Sequence, residues 1–393
     1  MIRLFGAVAA IALLAGCKDA TQPEQELDCS TPGVVSADGR EIPVAPNGFA
    51  TVGNKIYSAA TCEPFRFVGV SRPSLSFTPE GGRLAIDTAA AADFARIRSW
   101  KANTVRIELA QYFWVSSSRF FDPGYQARVD RVIRQARQAG LHVLIALQHS
   151  DRGDPNYPGD PISTNMHQPM ADRAHSIPFW KDVAAKYKDD GGILFEVYSE
   201  PFPVGGDGGF SNWDIWANGG THPADNVYPD PLVPGPRKAF QAASMQELYN
   251  AVRSTGANNL VLISGTQWGY NLEGVPTRRV QGHNIAYATH PWSYESARQP
   301  ATWEKEWAFL AKTDPVMITE FGNYDCTLAY PRAVLDKADE LGISWIAWAW
   351  QASSSRTDEN PGSPICTFPM LLKDWSGTPS SLGQLVKDRL ASY

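Results

Sequence analysis

Residues 193–201 of the 393-residue chain read Ile-Leu-Phe-Glu-Val-Tyr-Ser-Glu-Pro. Five of the first six are apolar or aromatic, which predicts a strand buried on both faces, as in a parallel sheet. Pro201 cannot continue a sheet ladder, so the strand ends there and Glu200 lies at its carboxyl tip. Taken alone, a Glu-Pro pair is also typical of a solvated turn.

A second stretch has the same design. Residues 316–322 read Val-Met-Ile-Thr-Glu-Phe-Gly, a short β-type run that ends in Glu320 and a glycine-containing loop. The carboxyl tips of strands are where α/β barrels carry their chemistry. Two carboxylates there are what hydrolysis of a glycosidic bond requires, because one protonates the leaving oxygen while the other attacks the sugar.

Around these stretches, predicted strands alternate with predicted helices. The predicted strands are Phe65–Val70, Thr104–Leu109, Val143–Leu147, Ile193–Tyr198, Leu260–Ser264, Ile285–Thr289, Val316–Thr319 and Ser344–Ala347. The predicted helices are Thr88–Trp100 with Asp87 as its cap, Gly124–Ala139, Phe179–Tyr187, a helix near Lys238–Ser254, Thr302–Lys312, Ala333–Leu341 and Leu382–Ala391. Repeated βα units with eight strands predict an α/β fold, a closed (β/α)8 TIM barrel.

The surrounding segments support this fold. An open doubly wound sheet would want a glycine-rich phosphate turn after the first strand, and residues 69–73, Gly-Val-Ser-Arg-Pro, are not one. Phe49–Val52 and Lys55–Tyr57 predict a small hairpin that plugs the barrel floor. The segments after the third and fourth strands, His149–Pro178 and Pro201–Pro236, are long, and loops of this length in a compact domain are usually functional.

The N-terminal residues predict export and anchoring. Arg3 and the apolar run from Leu4 to Ala15 are typical of a signal peptide and too short to span a bilayer. Residues 13–17, Leu-Leu-Ala-Gly-Cys, resemble the lipobox of bacterial lipoproteins, which implies lipid attachment to Cys17; an ordinary signal peptide with an incidental cysteine is the alternative. Lys18 resembles an outer-membrane sorting signal of Gram-negative lipoproteins. The predicted domains are therefore a signal peptide (1–16), a polar tether (17–45) and the barrel (46–393).

Composition and cysteine count further narrow the class of protein and the kinds of site that the chain can carry. A formal charge of −6 without a basic stripe argues against nucleic-acid binding. Neither C-x-x-C nor H-E-x-x-H occurs, so we expect no metal site and no cofactor, and we expect a monomer. Setting Cys17 aside leaves four cysteines, which in an exported chain suggest two disulfides. Three pairings are possible, and we favour Cys29–Cys62 and Cys326–Cys366 because each joins segments that should lie close in the barrel.

With these residues placed, the chain resembles glycoside hydrolase family 5, the cellulase and mannanase family of TIM barrels, from about Phe65 to the C-terminus. The resemblance rests on one short motif at each of several strands, in the expected order: residues 104–106, His149, residues 198–201, His290, residues 319–322 and residues 344–348. It implies that Glu200 is the acid/base and Glu320 the nucleophile of a retaining hydrolase.

The resemblance also implies a set of residues that bind the sugar or tune the pair. Arg106 would keep Glu320 charged, although a structural ion pair with Glu108 or Glu196 is the alternative. His149 and His290 resemble sugar-binding histidines, and Trp348 resembles the tryptophan that floors the cleavage subsite, although each could be an ordinary core residue. Trp268 is a candidate stacking platform, as are Trp213, Trp216 and Trp292, although any one of them could equally be packing.

Two positions depart from the family pattern. Ser199 stands where the family has an asparagine that bonds the sugar 2-hydroxyl, and serine is shorter and carries one donor rather than two. The family often has His-x-Tyr after the sixth strand, where this chain has His290-Pro291-Trp292, with Tyr294 two residues further on. These changes do not alter the predicted reaction class. They bear on which substrate the site accepts.

The sequence therefore predicts a retaining β-glycoside hydrolase of the endo-β-glucanase class that acts on a polysaccharide or oligosaccharide. The alternatives are a non-catalytic or weakly active sugar-binding barrel at the cell surface, and a glycosidase of altered specificity that is exo-acting or directed at glycolipids.

Overall fold

The computed structural model of the chain describes residues 27–29, 33–36, 38–77, 86–157, 167–205, 208–227, 235–293, 297–323, 327–352 and 370–393. The strands are β1 (Gly33–Val35), β2 (Glu41–Pro43), β3 (Phe49–Val52), β4 (Lys55–Ser58), β5 (Val68–Ser71), β6 (Thr104–Ala110), β7 (His142–His149), β8 (Ile193–Glu196), β9 (Gly220–His222), β10 (Phe240–Ala242), β11 (Val261–Ser264), β12 (Ile285–Thr289), β13 (Val316–Ile318) and β14 (Ser344–Ala347). The α-helices are α1 (Ile86–Ser99), α2 (Gln111–Trp114), α3 (Tyr125–Gln138), α4 (Ser176–Tyr187), α5 (Trp213–Asn218), α6 (Met245–Arg253), α7 (Trp303–Glu306), α8 (Ala329–Leu341) and α9 (Ser381–Ala391), with 3-10 turns at Val275–Thr277 and Ala308–Lys312.

Eight parallel strands close into a barrel in the order β5, β6, β7, β8, β11, β12, β13, β14, and β14 pairs with β5. These are the eight strands predicted from the sequence, and the TIM-barrel prediction is confirmed. Their side chains are buried on both faces over nearly their whole length, as the apolar runs required. The carboxyl ends of β8 and β13 therefore lie at the same end of the barrel, which brings the segments bearing Glu200 and Glu320 together.

The floor of the barrel is closed by the β3–β4 hairpin, as predicted. Val52 pairs with Lys55 across the two-residue turn. The Phe49 ring lies 4.6 Å from the ring of Phe67 and 5.1 Å from that of His142. Phe49 and Ile56 pack with inward-facing barrel residues such as Leu144, so the hairpin covers apolar side chains that would otherwise meet water.

The N-terminal segment is joined to this hairpin. Cys29 and Cys62 form a disulfide with their Cα atoms 5.8 Å apart, which confirms this pairing. Within the segment predicted as a tether, β1 and β2 form a small antiparallel sheet whose Val34 and Ile42 are buried. Cys17, Cys326, Cys366 and the predicted signal peptide lie outside the described residues. No helix of the described part of the chain has both the length and the hydrophobicity of a membrane span.

Three helix predictions were wrong in detail. Residues 240–242 are not helical but form β10, which pairs with β9, and α6 begins only after Ser244, whose side chain caps it together with Glu247. The helix predicted over residues 302–312 breaks at Trp307, where φ is −152°, into α7 and a 3-10 turn. Helix α1 begins at Ile86, so Asp87 lies inside the helix rather than before it.

Candidate active site

Glu200 lies just past the end of β8. Hydrogen bonds to the neighbouring strands continue beyond the strand itself, since Val197 N donates to Leu262 O (3.1 Å) and Ser199 N donates to Leu147 O (2.9 Å). These bonds hold the backbone up to Ser199, and Pro201 prevents further pairing. The Glu200 side chain is 14% exposed, so it lies at the surface of a cleft rather than in bulk solvent.

Glu320 follows β13 in the same way. Thr319 N donates to Thr289 O at 3.2 Å, and Glu320 is 4% exposed. Glu200, Glu320 and His290 each contribute one oxygen or ring nitrogen to a group of atoms that all lie within 4.8 Å of one another. The structure thus brings together the two glutamates that the sequence singled out.

Arg106, on β6, organises the barrel interior beneath this pair. Its Nη1 lies 2.7 Å from Glu108 Oε1 and 2.6 Å from Glu320 Oε1, and its Nε lies 2.7 Å from Glu196 Oε2. The sequence suggested either a bond to Glu320 or a structural ion pair, and the structure has both. A fully buried guanidinium, charged at every accessible pH, can bond several carboxylates at once because its five N–H groups point in fixed directions.

His290, after β12, links the two catalytic candidates. Its Nδ1 lies 2.9 Å from Glu200 Oε1 and 3.9 Å from Glu320 Oε2, while its Nε2 lies 2.8 Å from Thr319 Oγ1. The ring is fully buried, so its charge acts at short range without screening by water. His290 is therefore placed to exchange a proton with Glu200.

Sequence reasoning missed His167. It comes from the long segment after β7, and its Nε2 lies 3.3 Å from Glu200 Oε2, with Gln148 Nε2 3.5 Å from the same oxygen. Glu200 is thus flanked by a histidine on each carboxylate oxygen. The loop position offered no periodicity to single out His167; the only signal was a histidine within a loop already judged functional.

The interior carboxyls have strongly shifted pKa values. Burial raises the pKa of Glu320 to about 8, although the positive charges of His290 and Arg106 oppose the rise. Burial likewise raises the pKa of Glu108 to about 7. Burial acts in the same direction on Glu196, but Arg106 and His290 outweigh it and lower that pKa to about 2.

The pKa values of His290 and Glu200, which flank the cleft, are shifted as well. Burial favours the neutral form of His290, but the charge of Glu320 and hydrogen bonds to Glu196 and Glu200 outweigh it and raise the pKa of the ring to about 10. Burial would raise the pKa of Glu200, but the hydrogen bond from His290 and the nearby His167 lower it overall. The site therefore holds protons at neutral pH that are shared among these groups.

Aromatic side chains flank the pair on two sides. Trp268 N donates to Pro201 O (2.9 Å), and its ring stacks on Phe202 at 4.7 Å with 15° between the planes. On the other side the Trp292 and Trp348 rings lie 6.3 Å apart, and Trp348 is partly exposed. Trp348 N donates to Phe321 O (3.4 Å), so Trp268 and Trp348 contact the residues that follow Glu200 and Glu320, respectively.

Other predicted site residues lie deeper. His149 Nδ1 lies 2.9 Å from Ser76 O, and burial lowers its pKa to about 4, so its ring is neutral. Ser199 is fully buried and its Oγ accepts a hydrogen bond from Arg106 Nη2 at 2.5 Å, so it faces the barrel interior. Trp216 is also fully buried, with Nε1 bonded to Ser264 O, which makes it a packing residue. Tyr294 lies outside the described residues.

A second group of potential ligand atoms, from Asp151, Asp172 and His175, lies within 4.8 Å of one another in the described part of the chain. Gln111 Nε2 donates to both carboxylates (2.9 and 2.5 Å), and His175 Nδ1 lies 2.8 Å from Asp151 Oδ1. Protein groups thus already satisfy these carboxylates, so we assign them a structural role.

Residues 59–354 match the sequence profile Cellulase (glycosyl hydrolase family 5). The chain belongs to this family. Glycosyl hydrolase family 5 is the family that the motifs on the barrel strands resembled. The match spans all eight barrel strands and both glutamates, so family membership rests on the part of the chain that builds the site.

Individual relatives within the family are distant. Endoglucanase CelA of Streptomyces lividans is 25% identical over 344 residues, which cover 84% of this chain and 61% of the relative. An endoglucanase of a Microbulbifer species is 24% identical and covers 88% of this chain and 59% of the relative. The chain thus spans about three fifths of the length of these curated relatives.

Solved structures share the fold. A beta-glucanase from Saccharophagus degradans, in complex with cellotetraose, superposes with a TM-score of 0.64 at 19% identity, covering 88% of this chain and 93% of the other. A hyperthermophilic endocellulase from the archaeon Pyrococcus horikoshii gives a TM-score of 0.59 at 17% identity, covering 88% and 99%. At these identities the likeness establishes the barrel fold alone.

Proposed function

We propose that the chain is a retaining endo-β-glucanase that cleaves a polysaccharide or oligosaccharide by double displacement. The observation that carries the proposal is the closeness of Glu200 and Glu320, which together with His290 bring three reactive atoms within 4.8 Å of one another. Retaining glycosidases hold their two carboxyl groups about 5–5.5 Å apart, whereas inverting enzymes leave room for a water at about 6.5–9.5 Å. The spacing supports retention.

In the first step, Glu320 attacks the anomeric carbon and forms a glycosyl ester, while Glu200 gives its proton to the departing glycosidic oxygen. In the second step, Glu200 takes a proton from water, which attacks the same carbon and releases Glu320. Arg106, 2.6 Å from Glu320, stabilises the carboxylate that begins and ends this cycle.

The proton for the first step comes from the protons that Glu200, Glu320 and His290 share. Before substrate binds, the pKa is higher at Glu320 than at Glu200, which is the reverse of what the roles need. His290 Nδ1 lies 2.9 Å from Glu200 Oε1 and 3.9 Å from Glu320 Oε2, and the ring carries a proton at neutral pH. His290 gives that proton to Glu200 and takes the proton of Glu320 in its place, which leaves Glu200 as the acid and Glu320 as the carboxylate. Arg106, which bonds Glu320 directly, then favours the negative charge on Glu320.

The names of the relatives support a β-glucan as the class of substrate. Endoglucanase names recur among them, and the Saccharophagus enzyme was crystallised with cellotetraose. The partly exposed Trp268 and Trp348 would contact sugar rings on either side of the pair. A sugar-binding barrel without catalysis would have no need for two adjacent carboxyls that destabilise each other's charge.

Hydrolysis of a soluble mixed-linkage β-glucan tests the proposal. We expect reducing ends to appear with retained anomeric configuration, and Glu200→Gln and Glu320→Gln each to lower kcat at least about a hundredfold. Glu63→Gln, on an exposed surface glutamate near the hairpin, serves as the matched control and should keep wild-type activity. Inverted product, or full activity in either site variant, would contradict the mechanism.

We also propose that residues 1–16 are removed, that Cys17 carries a lipid anchor at the outer membrane, and that the barrel domain from residue 46 acts as a monomer. The support is the lipobox-like sequence and Lys18. In a Gram-negative host, Cys17→Ser should move the protein from the membrane to the soluble fraction, because several acyl chains on one residue anchor stably. Unchanged membrane partition of a correctly processed variant would refute lipid anchoring at Cys17.

A further inference from the structure

A second pocket, of about 670 Å3, lies outside the catalytic cleft. It is formed by the segment after β7 and by residues 236–241, so it lies on the same face of the barrel as Glu200. Its volume is within the range typical of ligand pockets, about 300–1,000 Å3. Four basic side chains and two aromatic rings dominate its lining: Arg152, Arg173, Arg237, Lys238, Tyr157 and Phe240.

The buried part of this basic pocket is rigidly built. The Arg152 guanidinium bonds Asp225 Oδ2 (2.7 Å), Gln168 Oε1 (2.5 Å) and Lys238 O (2.8 Å), and it lies 5.1 Å from the centre of the Phe240 ring. Arg237 is 5% exposed and lies 5.3 Å from the centre of the Tyr157 ring. Side chains held in place by packing and hydrogen bonds lose little entropy when a ligand binds.

Positive charge predominates among the groups that line the pocket. Asp154 is the single carboxylate among the described lining residues, against four cations. Asp225 pairs with Arg152, and Glu247 pairs with Arg173 at 2.9 Å. Burial lowers the pKa of Arg152 although the charge of Asp225 opposes the shift, and the positive charge of Arg237 acts in the same direction as burial.

The pocket wall is connected directly to the catalytic site. Gln168 accepts a hydrogen bond from Arg152 and donates one to Tyr157 Oη at 3.0 Å. The preceding residue, His167, lies 3.3 Å from Glu200. The neighbouring residues Gln168 and His167 thus contact the pocket wall and the catalytic pair, respectively.

We infer that the basic pocket is an accessory subsite for a carboxylate carried by a sugar unit of the substrate. Guanidinium groups match the planar carboxylate through two parallel hydrogen bonds. At about 30 Å3 of liquid volume per water, the pocket holds roughly twenty waters, far more than a simple anion fills, which favours an anionic sugar over a free ion. The inference rests on the proposed function and specifies its substrate as an acidic, decorated β-glucan.

The test compares two cellulose derivatives, carboxymethyl cellulose and neutral hydroxyethyl cellulose. For each variant, the ratio of kcat/KM on the acidic polymer to that on the neutral one is measured at low salt. Lys238→Glu reverses an exposed charge at the pocket, and Lys55→Glu does the same on β4 at the opposite end of the barrel. We expect the ratio to fall about tenfold in Lys238→Glu and to keep its wild-type value in Lys55→Glu. Equal ratios in all three proteins would overturn the inference.

A binding measurement separates this inference from the proposed function. Calorimetry of the wild-type protein with glucuronic acid, glucose and sodium sulfate requires no turnover. We expect heat of binding with glucuronic acid, none with glucose, and loss of the signal in Lys238→Glu. Binding of sulfate but not of glucuronic acid, or of neither, would refute the carboxylate subsite even if the neutral polymer is hydrolysed. Failure to cleave either polymer would refute the proposed function alone.

Discussion

Replacing Arg106 with methionine removes the one guanidinium that bonds Glu108, Glu196 and Glu320 inside the barrel. All four side chains are at most 5% exposed, so water cannot replace the lost charge. Removing one partner of a buried ion pair typically costs about 3–5 kcal/mol because the other charge is left without compensation. We therefore expect a large and pH-dependent loss of stability.

The size of the loss can be worked out from Glu196. Its pKa is about 2 in the folded protein against an ordinary value of 4.5. A lowered folded-state pKa stabilises the protein above the unfolded value, and that contribution is lost as pH falls through the folded value. The difference of about 2.5 pKa units, at about 1.4 kcal/mol per unit, corresponds to about 3–4 kcal/mol at pH 5. Without Arg106 the pKa of Glu196 should rise above 4.5, so the loss should grow further towards pH 8.

Urea denaturation of wild type and Arg106→Met at pH 5 and pH 8 measures both quantities. Arg128→Met, which removes a partly exposed arginine paired with Asp122, is the matched control and should cost about 1 kcal/mol or less. A loss in Arg106→Met that is no larger than the control, or that is the same at both pH values, would refute the account of the buried charge network.

Three further predictions concern the site itself. Wild-type Tm should fall between pH 5 and pH 9, because the raised pKa values of Glu320 and His290 mean that the folded protein holds protons that the unfolded chain releases. Glu320→Gln should reduce the slope of Tm against pH, and an unchanged slope would contradict this explanation. Ser199→Asn should lower kcat/KM on cellooligosaccharides about tenfold or more, because the larger side chain would displace Arg106, and a clear rise would show that Ser199 faces the sugar. His167→Ala should lower kcat about tenfold with little change in KM, since His167 contacts Glu200, and an equal rise in KM would indicate a role in binding substrate.

The fold and the two glutamates were accessible from the sequence because their signals are local. Each buried strand is a continuous apolar run, and Pro201 or Gly322 marks where the run ends. The chain order of these runs was enough to predict a closed parallel barrel. The Cys29–Cys62 disulfide belongs to the favoured one of three possible pairings, chosen because its two segments should lie close in this topology, and the structure confirms it.

What the sequence could not provide depends on non-local contacts. Residues 240–242 became β10 because they pair with β9, some twenty residues earlier, and no local pattern records that pairing. His167 contacts Glu200, a residue more than thirty positions later in the chain, and no local pattern records that contact. The choice between two partners for Arg106 was also undecidable, because a single guanidinium bonds both sets of carboxylates at once.

The central claim is that Glu320 forms the covalent bond to the sugar. A 2-deoxy-2-fluoro-β-cellobioside with a good leaving group slows release of the glycosyl ester, so the labelled protein can be digested and its peptides sequenced by mass spectrometry. We predict a single fluorocellobiosyl adduct on Glu320. An adduct on Glu200, or no adduct in a protein that hydrolyses the corresponding unfluorinated aryl cellobioside, would contradict the account.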